Sequence, residues 1–223
     1  MTRKRVVLAV VAATLVACVA GAASAATANA GAAVPPAAAT CAACHGADGM
    51  GNAATGYPRL AGLNAAYLLR QLEDFASGAR RNPVMQPIAH GLGAQQRKAL
   101  AAYFSGLPVV SDGASPAAAA STAGADRGLG ATLALRGRWS RQIPGCVKCH
   151  GPRGVGVGAN FPPLAGQPAA YLASQLRAFK DGSRRDDPLG LMRHVASGLS
   201  AKDIAAVAAW FAAQPVQDGG RSR

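Results

Sequence analysis

The chain is poor in the residues that usually fill protein cores. Only 5% of its 223 residues are aromatic; half count as hydrophobic, but alanine and glycine dominate the composition. Side chains this small make thin cores, and small domains with thin cores need a further source of stability, such as a metal or a large buried cofactor. Acidic residues are scarce as well, 10 against 23 Lys and Arg, for a formal charge of +13. That excess suits nucleic acid, an anionic membrane surface or an acidic protein partner. No segment alternates apolar and polar residues as a half-buried strand would, which excludes a sheet-based fold. Beyond the first 25 residues no apolar run approaches the ~20 residues of a spanning helix.

What is present begins with an export signal. Arg3, Lys4 and Arg5 precede an uncharged stretch, Val6 to Ala20, followed by Ala23-Ser24-Ala25, with Ala28-Asn29-Ala30 as a second cleavage point. The expected leader is therefore 1–25. Leu15-Val16-Ala17-Cys18 also resembles a lipoprotein signal, which would make Cys18 a lipidated N-terminus and attach the protein to a membrane. Loss of the leader removes three basic and no acidic residues, leaving a formal charge of +10. Export sets nucleic acid aside and leaves protein partners with an acidic docking patch, in the periplasm or at a membrane surface.

Apart from Cys18, the cysteines form two pairs, Cys41/Cys44 and Cys146/Cys149, each spaced C-x-x-C and followed at once by histidine, His45 or His150. This is the attachment signature of c-type haem: the thiols add across two vinyl groups and the imidazole becomes an axial iron ligand. A thioredoxin-like site would want a βαβ context, and a structural zinc would want a second ligand pair. Neither accompanies the motif, so two covalent haem c groups are expected.

The two motifs head two copies of one unit. Tyr57-Pro58-Arg59-Leu60-Ala61-Gly62 matches Phe161-Pro162-Pro163-Leu164-Ala165-Gly166. Tyr67, Leu68, Gln71, Leu72, Phe75, Gly78, Arg80 and Arg81 return as Tyr171, Leu172, Gln175, Leu176, Phe179, Gly182, Arg184 and Arg185. The reading is a duplication into a first domain, 31–108, a linker rich in Ala, Ser, Gly and Pro, 109–125, and a second domain, 126–217. Helical signals dominate both copies. Asn64 can cap a helix that Gly78 ends, Pro168 suits a first turn, and Ser200 with Asp203 resembles a capping box before an inner face of Ile204, Val207, Trp210 and Phe211. Asp126 to Arg141 reads as partly helical, with no good counterpart before Cys41. The fold class is all-α, in two tandem domains.

A sixth iron ligand must be a soft or nitrogen donor, and methionine raises the reduction potential. Met85 and Met192 hold equivalent repeat positions, each followed by Ala at the fourth residue and Leu at the seventh. Met50 aligns with Val155, His90 with Ser197 and His194 with Pro87, so none of these is matched in the other copy. Met85 and Met192 are therefore the expected iron ligands opposite His45 and His150. Pro58 and Pro162 are expected to orient the histidines through their carbonyls. Tyr57, Phe161, Phe75 and Phe179 are expected around haem edges, and Arg80, Arg81, Arg184 and Arg185 against propionates or on solvated surface.

These residues resemble the dihaem cytochrome c4 family over Cys41 to Pro215. The likeness rests on the two C-x-x-C-H motifs, the Pro58-x-Leu60-Ala61-Gly62 segment, Tyr67-Leu68-x-x-Gln71-Leu72 and Met85, each with its second-copy match. It implies two class I cytochrome c domains packed for electron exchange, His–Met ligation of each iron, and periplasmic electron transfer toward an acceptor such as a terminal oxidase. With both axial positions filled, no open site remains for a substrate, so an electron carrier rather than an enzyme is expected. The alternatives are a haem subunit of a dehydrogenase complex and a small dihaem peroxidase.

Overall fold

The computed structural model describes residues 34–109 and 124–216. The expected leader, Cys18, both cleavage points and most of the linker lie outside these residues.

The first copy runs through four helices: α1 (Ala38–His45), α2 (Ala65–Ser77), α3 (Met85–His90) and α4 (Ala94–Gly106). The second copy opens with α5 (Gly124–Leu135). A short antiparallel hairpin follows, β1 (Gly137–Arg138) and β2 (Ile143–Pro144), with a 3₁₀ turn at Trp139–Arg141 between its strands. It continues with α6 (Val147–His150), α7 (Ala169–Asp181), α8 (Leu191–Ser197) and α9 (Ala201–Ala212). The all-α reading holds for the architecture. The hairpin is the exception that sequence pattern missed, because two-residue strands are too short to show alternation.

The helix ends follow from local chemistry. Asn64 Oδ1 accepts from the Ala66 and Tyr67 amides at 2.9 and 3.2 Å, satisfying two amides at the start of α2. Gly78 and Gly182, with φ of +80° and +75°, end α2 and α7 in the left-handed conformation that costs glycine least. Pro168 stands at the N-cap of α7, one residue before the first turn. The capping box at α9 is complete: Asp203 N donates to Ser200 Oγ at 3.2 Å, and Ser200 N donates to Asp203 Oδ2 at 2.9 Å.

Two apolar clusters result. Leu68, Leu100, Ala101 and Phe104 join α2 to α4 in the first copy. Leu133, Ile143, Leu172, Ile204, Val207 and Phe211 join α5, β2, α7 and α9 in the second. Trp210 is only half-buried at the edge of that face. A Cβ at Gly130 would collide with the Ala206 carbonyl, so glycine lets α5 pack backbone-close on α9.

Candidate haem sites

His45 is the last residue of α1, with Cys41 and Cys44 on the turn before it; His150 ends α6 in the same way, after Cys146 and Cys149. All four thiols are free and half-buried. Burial pushes the Cys41 thiol up and the Cys146 thiol up to about 11.

Both histidines are buried, and each Nδ1 lies 2.8 Å from a proline carbonyl, Pro58 O for His45 and Pro162 O for His150. A carbonyl can only accept, so Nδ1 carries the proton and donates, which leaves the Nε2 lone pair for a metal. Neither Nε2 has a protein partner among the described residues. Burial lowers the pKa of both imidazoles, with the proline carbonyls opposing it, so the neutral ligating form is favoured. Tyr57 and Phe161 pack on the rings with centroids 6.2 and 6.1 Å away.

Met85 begins α3 and Met192 is the second residue of α8. Each is half-buried, and the Ala four residues on, Ala89 or Ala196, is fully buried in both copies. His90 and His194 are exposed. Among the described residues no group of three or more His, Cys, Asp and Glu could hold a metal ion. Two thiols one turn apart, a neutral imidazole with a free Nε2 and a half-buried thioether fit haem c in both copies.

Arg80 and Arg184 are only 6% and 8% exposed and tie the two copies together. Arg80 donates to Gln71 Oε1 in its own copy and to Gln175 Oε1 in the other, both at 2.6 Å, and to the Tyr171 hydroxyl at 3.0 Å. Arg184 donates to Gln175 Oε1 at 2.8 Å and Gln71 Oε1 at 2.9 Å. Each glutamine carbonyl thus accepts from both guanidinia, and Phe75 and Phe179 lie beneath them at 4.5 and 4.4 Å. Each arginine thus donates both within its own copy and across to the other, and Arg184 also pairs with Asp186, while Arg81 and Arg185 are exposed.

A second tie joins the histidine-orienting loops. The Gln167 side chain accepts from Arg59 N and donates to Arg59 O, both at 3.0 Å, while Arg59 Nη2 reaches Ala165 O at 3.2 Å. Arg59 is 1% exposed, and burial pulls its pKa down to about 10, still charged at neutral pH. Sequence reading found the glutamines and arginines as repeats but had no signal for pairs more than 90 residues apart. Arg59 and Gln167 left no repeat signal, since Pro163 and Leu63 stand in their places.

The family model for cytochrome c matches residues 28–108 and 138–214. The chain belongs to the cytochrome c family, as a dihaem protein of the cytochrome c4 kind. It is 38% identical over 176 residues to cytochrome c4 of Pseudomonas aeruginosa, covering 78% of this chain and 83% of that one. A nearer relative is the thiosulfate dehydrogenase electron acceptor of Stutzerimonas stutzeri, 54% identical over 177 residues, 79% of this chain and 80% of the relative. Among solved structures, thiosulfate dehydrogenase (TsdBA) from Marichromatium purpuratum superposes with a TM-score of 0.72 at 45% identity. That alignment covers 82% of this chain but only 38% of the longer one. Two tandem cytochrome c domains imply two covalent haem c groups, and the chain is an electron carrier rather than a catalyst.

Proposed function

We propose that the chain, after export, accepts single electrons from a thiosulfate-oxidising dehydrogenase and passes them on outside the cytoplasm. The observation that carries this reading is the solved thiosulfate dehydrogenase in which a unit 45% identical to this chain belongs to the same polypeptide as further sequence. The 54% identity to a named electron acceptor of such a dehydrogenase supports it. Together they favour the dehydrogenase-linked alternative over delivery to a terminal oxidase. Among the described residues no helix is long and apolar enough to cross a membrane.

The residues assigned to the work are Cys41, Cys44, His45 and Met85 in the first domain and Cys146, Cys149, His150 and Met192 in the second. Each haem, when attached, supplies a reversible one-electron iron couple. The cysteines would hold it covalently, and His45 with Met85 and His150 with Met192 would supply the protein ligands to its iron. Pro58 and Pro162 hold the Nδ1 protons and fix the imidazole planes, so the ligand set need not rearrange on electron gain. The Arg59–Gln167 tie and the Arg80–Arg184 network hold the domains in one register, as repeated transfer between them requires.

Mixing the purified dihaem chain with thiosulfate dehydrogenase and thiosulfate tests the reading. Rapid appearance of the reduced haem bands, dependent on all three components, is expected. Absence of reduction while ascorbate still reduces the chain would overturn it.

A further inference from the structure

The hairpin ahead of the second attachment motif is firmly built, yet it presents its largest side chain to solvent. Arg138 forms a two-point ion pair with the buried Asp203, Nη1 to Oδ2 at 2.8 Å and Nη2 to Oδ1 at 2.7 Å. Arg141 Nη1 reaches the Gly198 carbonyl at 3.2 Å, and Ile143, 1% exposed, plugs the base of the hairpin into the core. Gln142 takes a left-handed conformation, φ +56°, to close the turn. A Cβ at Gly137 would strike the Ile143 carbonyl, so the strands can pair there only with glycine. Against this rigid frame Trp139, one of two tryptophans in the chain, is 70% exposed.

Single exposed apolar residues are ordinary on protein surfaces. Trp139 differs in three respects. Arg138, Ile143 and Gly137 already hold the hairpin, so the indole has no part in its fold. The side chain is presented on a preorganised turn, so little ordering entropy opposes its burial by a partner. It is flanked by the exposed cations Arg136 and Arg141, and tryptophan and arginine are the residues most enriched at binding hot spots. The position also bears on electron transfer, because β2 ends at Pro144, two residues before Cys146. The second motif adds an exposed cation, Lys148, where the first has Ala43. The described residues before Cys41, 34–40, hold no such hairpin.

We infer that the Trp139 turn is the docking knob for the electron-donating dehydrogenase, which receives the indole in an apolar pocket rimmed by carboxylates, so that electrons enter at the second domain. Acidic rim and basic hairpin attract each other before contact, and the indole supplies the short-range affinity. The inference rests on the proposed role as that enzyme's electron acceptor and names the surface that serves it.

Stopped-flow reduction of the full dihaem chain by thiosulfate dehydrogenase with thiosulfate decides the matter, using wild type, Trp139→Phe, Trp139→Ala and Trp139→Glu. The second-order rate constant is expected to fall about tenfold or more for Ala, as for a hot-spot truncation. It is expected to fall further for Glu, and to stay within about threefold of wild type for Phe, which keeps an aromatic ring. Haem content and reduction by ascorbate should be unchanged in all four. Rapid wild-type reduction with Trp139→Ala equally fast would overturn the docking site alone. No reduction of wild type by the dehydrogenase would overturn both the acceptor role and its docking surface. A Glu variant as fast as the Ala variant would overturn the carboxylate rim.

Discussion

The two domains carry the same donor set on unequal supports. In the second, α5 lies backbone-close on α9, a hairpin leads into Cys146, and the capping box at Ser200 and Asp203 doubles as the anchor of that hairpin through Arg138. In the first, the described chain reaches Cys41 after a short turn at Pro36 and Ala37, and α4 begins at a glycine. The difference extends to the shared boundary. Arg184 has a carboxylate partner, Asp186, at 2.7 Å, while the matching position beside Arg80 is Asn82. The duplicated unit thus carries matched donor residues in both copies, with more polar and helical scaffolding among the described residues of the second.

The strongest test of this likeness is to remove one site and ask whether the other persists. Cys146→Ser with Cys149→Ser is expected to give a chain with one covalent haem, and Cys41→Ser with Cys44→Ser the same. Mass spectrometry and haem-per-chain absorbance read the outcome directly. Two haems retained after either double substitution would remove those cysteines from the site. The second domain, with its larger supporting structure, should stay folded more readily when its neighbour lacks haem than the reverse.

Next in size is the asymmetry of the buried arginines. Arg184→Leu strands the Asp186 carboxylate, whose side chain is 1% exposed, and breaking one side of such a buried pair costs about 3–5 kcal/mol. Arg80→Leu removes no carboxylate's direct partner, and Gln71 and Gln175 keep their bonds from Arg184. Losing its hydrogen bonds to the neutral acceptors Gln71, Gln175 and Tyr171 costs about 1–3 kcal/mol. Denaturant unfolding of both variants checks the order. The pH dependence sharpens it. Burial opposes ionisation of Asp186, but the Arg184 hydrogen bonds and charge prevail and hold its carboxyl below the usual range. The pair's contribution is therefore complete above the unfolded carboxylate value of about 3.9 and is lost as pH falls through the lower folded value. Wild type should lose more stability than Arg184→Leu over that acid range.

These contrasts also show what a sequence can and cannot reveal. The C-x-x-C-H motifs and the proline carbonyls that orient His45 and His150 were legible because each depends on local spacing or on repetition. Asn64, Gly78 and the Ser200–Asp203 box were legible because caps use side chains within three residues of the groups they satisfy. The Arg59–Gln167 tie joins residues more than 100 positions apart and breaks the repeat, so neither spacing nor symmetry pointed to it. Arg80 and Arg184 were found as a repeated pair, but reading each copy alone suggested propionates or solvent, because the partner that completes each arginine lies in the other copy. The hairpin escaped because its pairing is held by Gly137 and by the Arg138–Asp203 ion pair rather than by a run of β-formers.

The smallest predicted effect concerns the helix starts that face each other in the comparison. Ser200 caps α9 through its hydroxyl, and Ser200→Ala should cost about 1 kcal/mol. Gly93 opens α4 with half of that arrangement: its amide donates to Gln96 Oε1 at 2.8 Å, but it has no side chain to bond the Gln96 amide in return. Its backbone, φ −68° and ψ 160°, is already that of a serine cap, close to the −77° and 167° of Ser200. A Cβ there would meet nothing nearer than Gln96 Oε1 at 3.5 Å, an ordinary contact. Gly93→Ser should therefore complete the box and stabilise the first domain by a few tenths of a kcal/mol, about the measured difference between glycine and serine caps. A thermal melt of the dihaem chain resolves the sign: an upward shift means α4 lacks only the hydroxyl that α9 has. A downward shift would mean the two helix starts differ in backbone as well as in side chain.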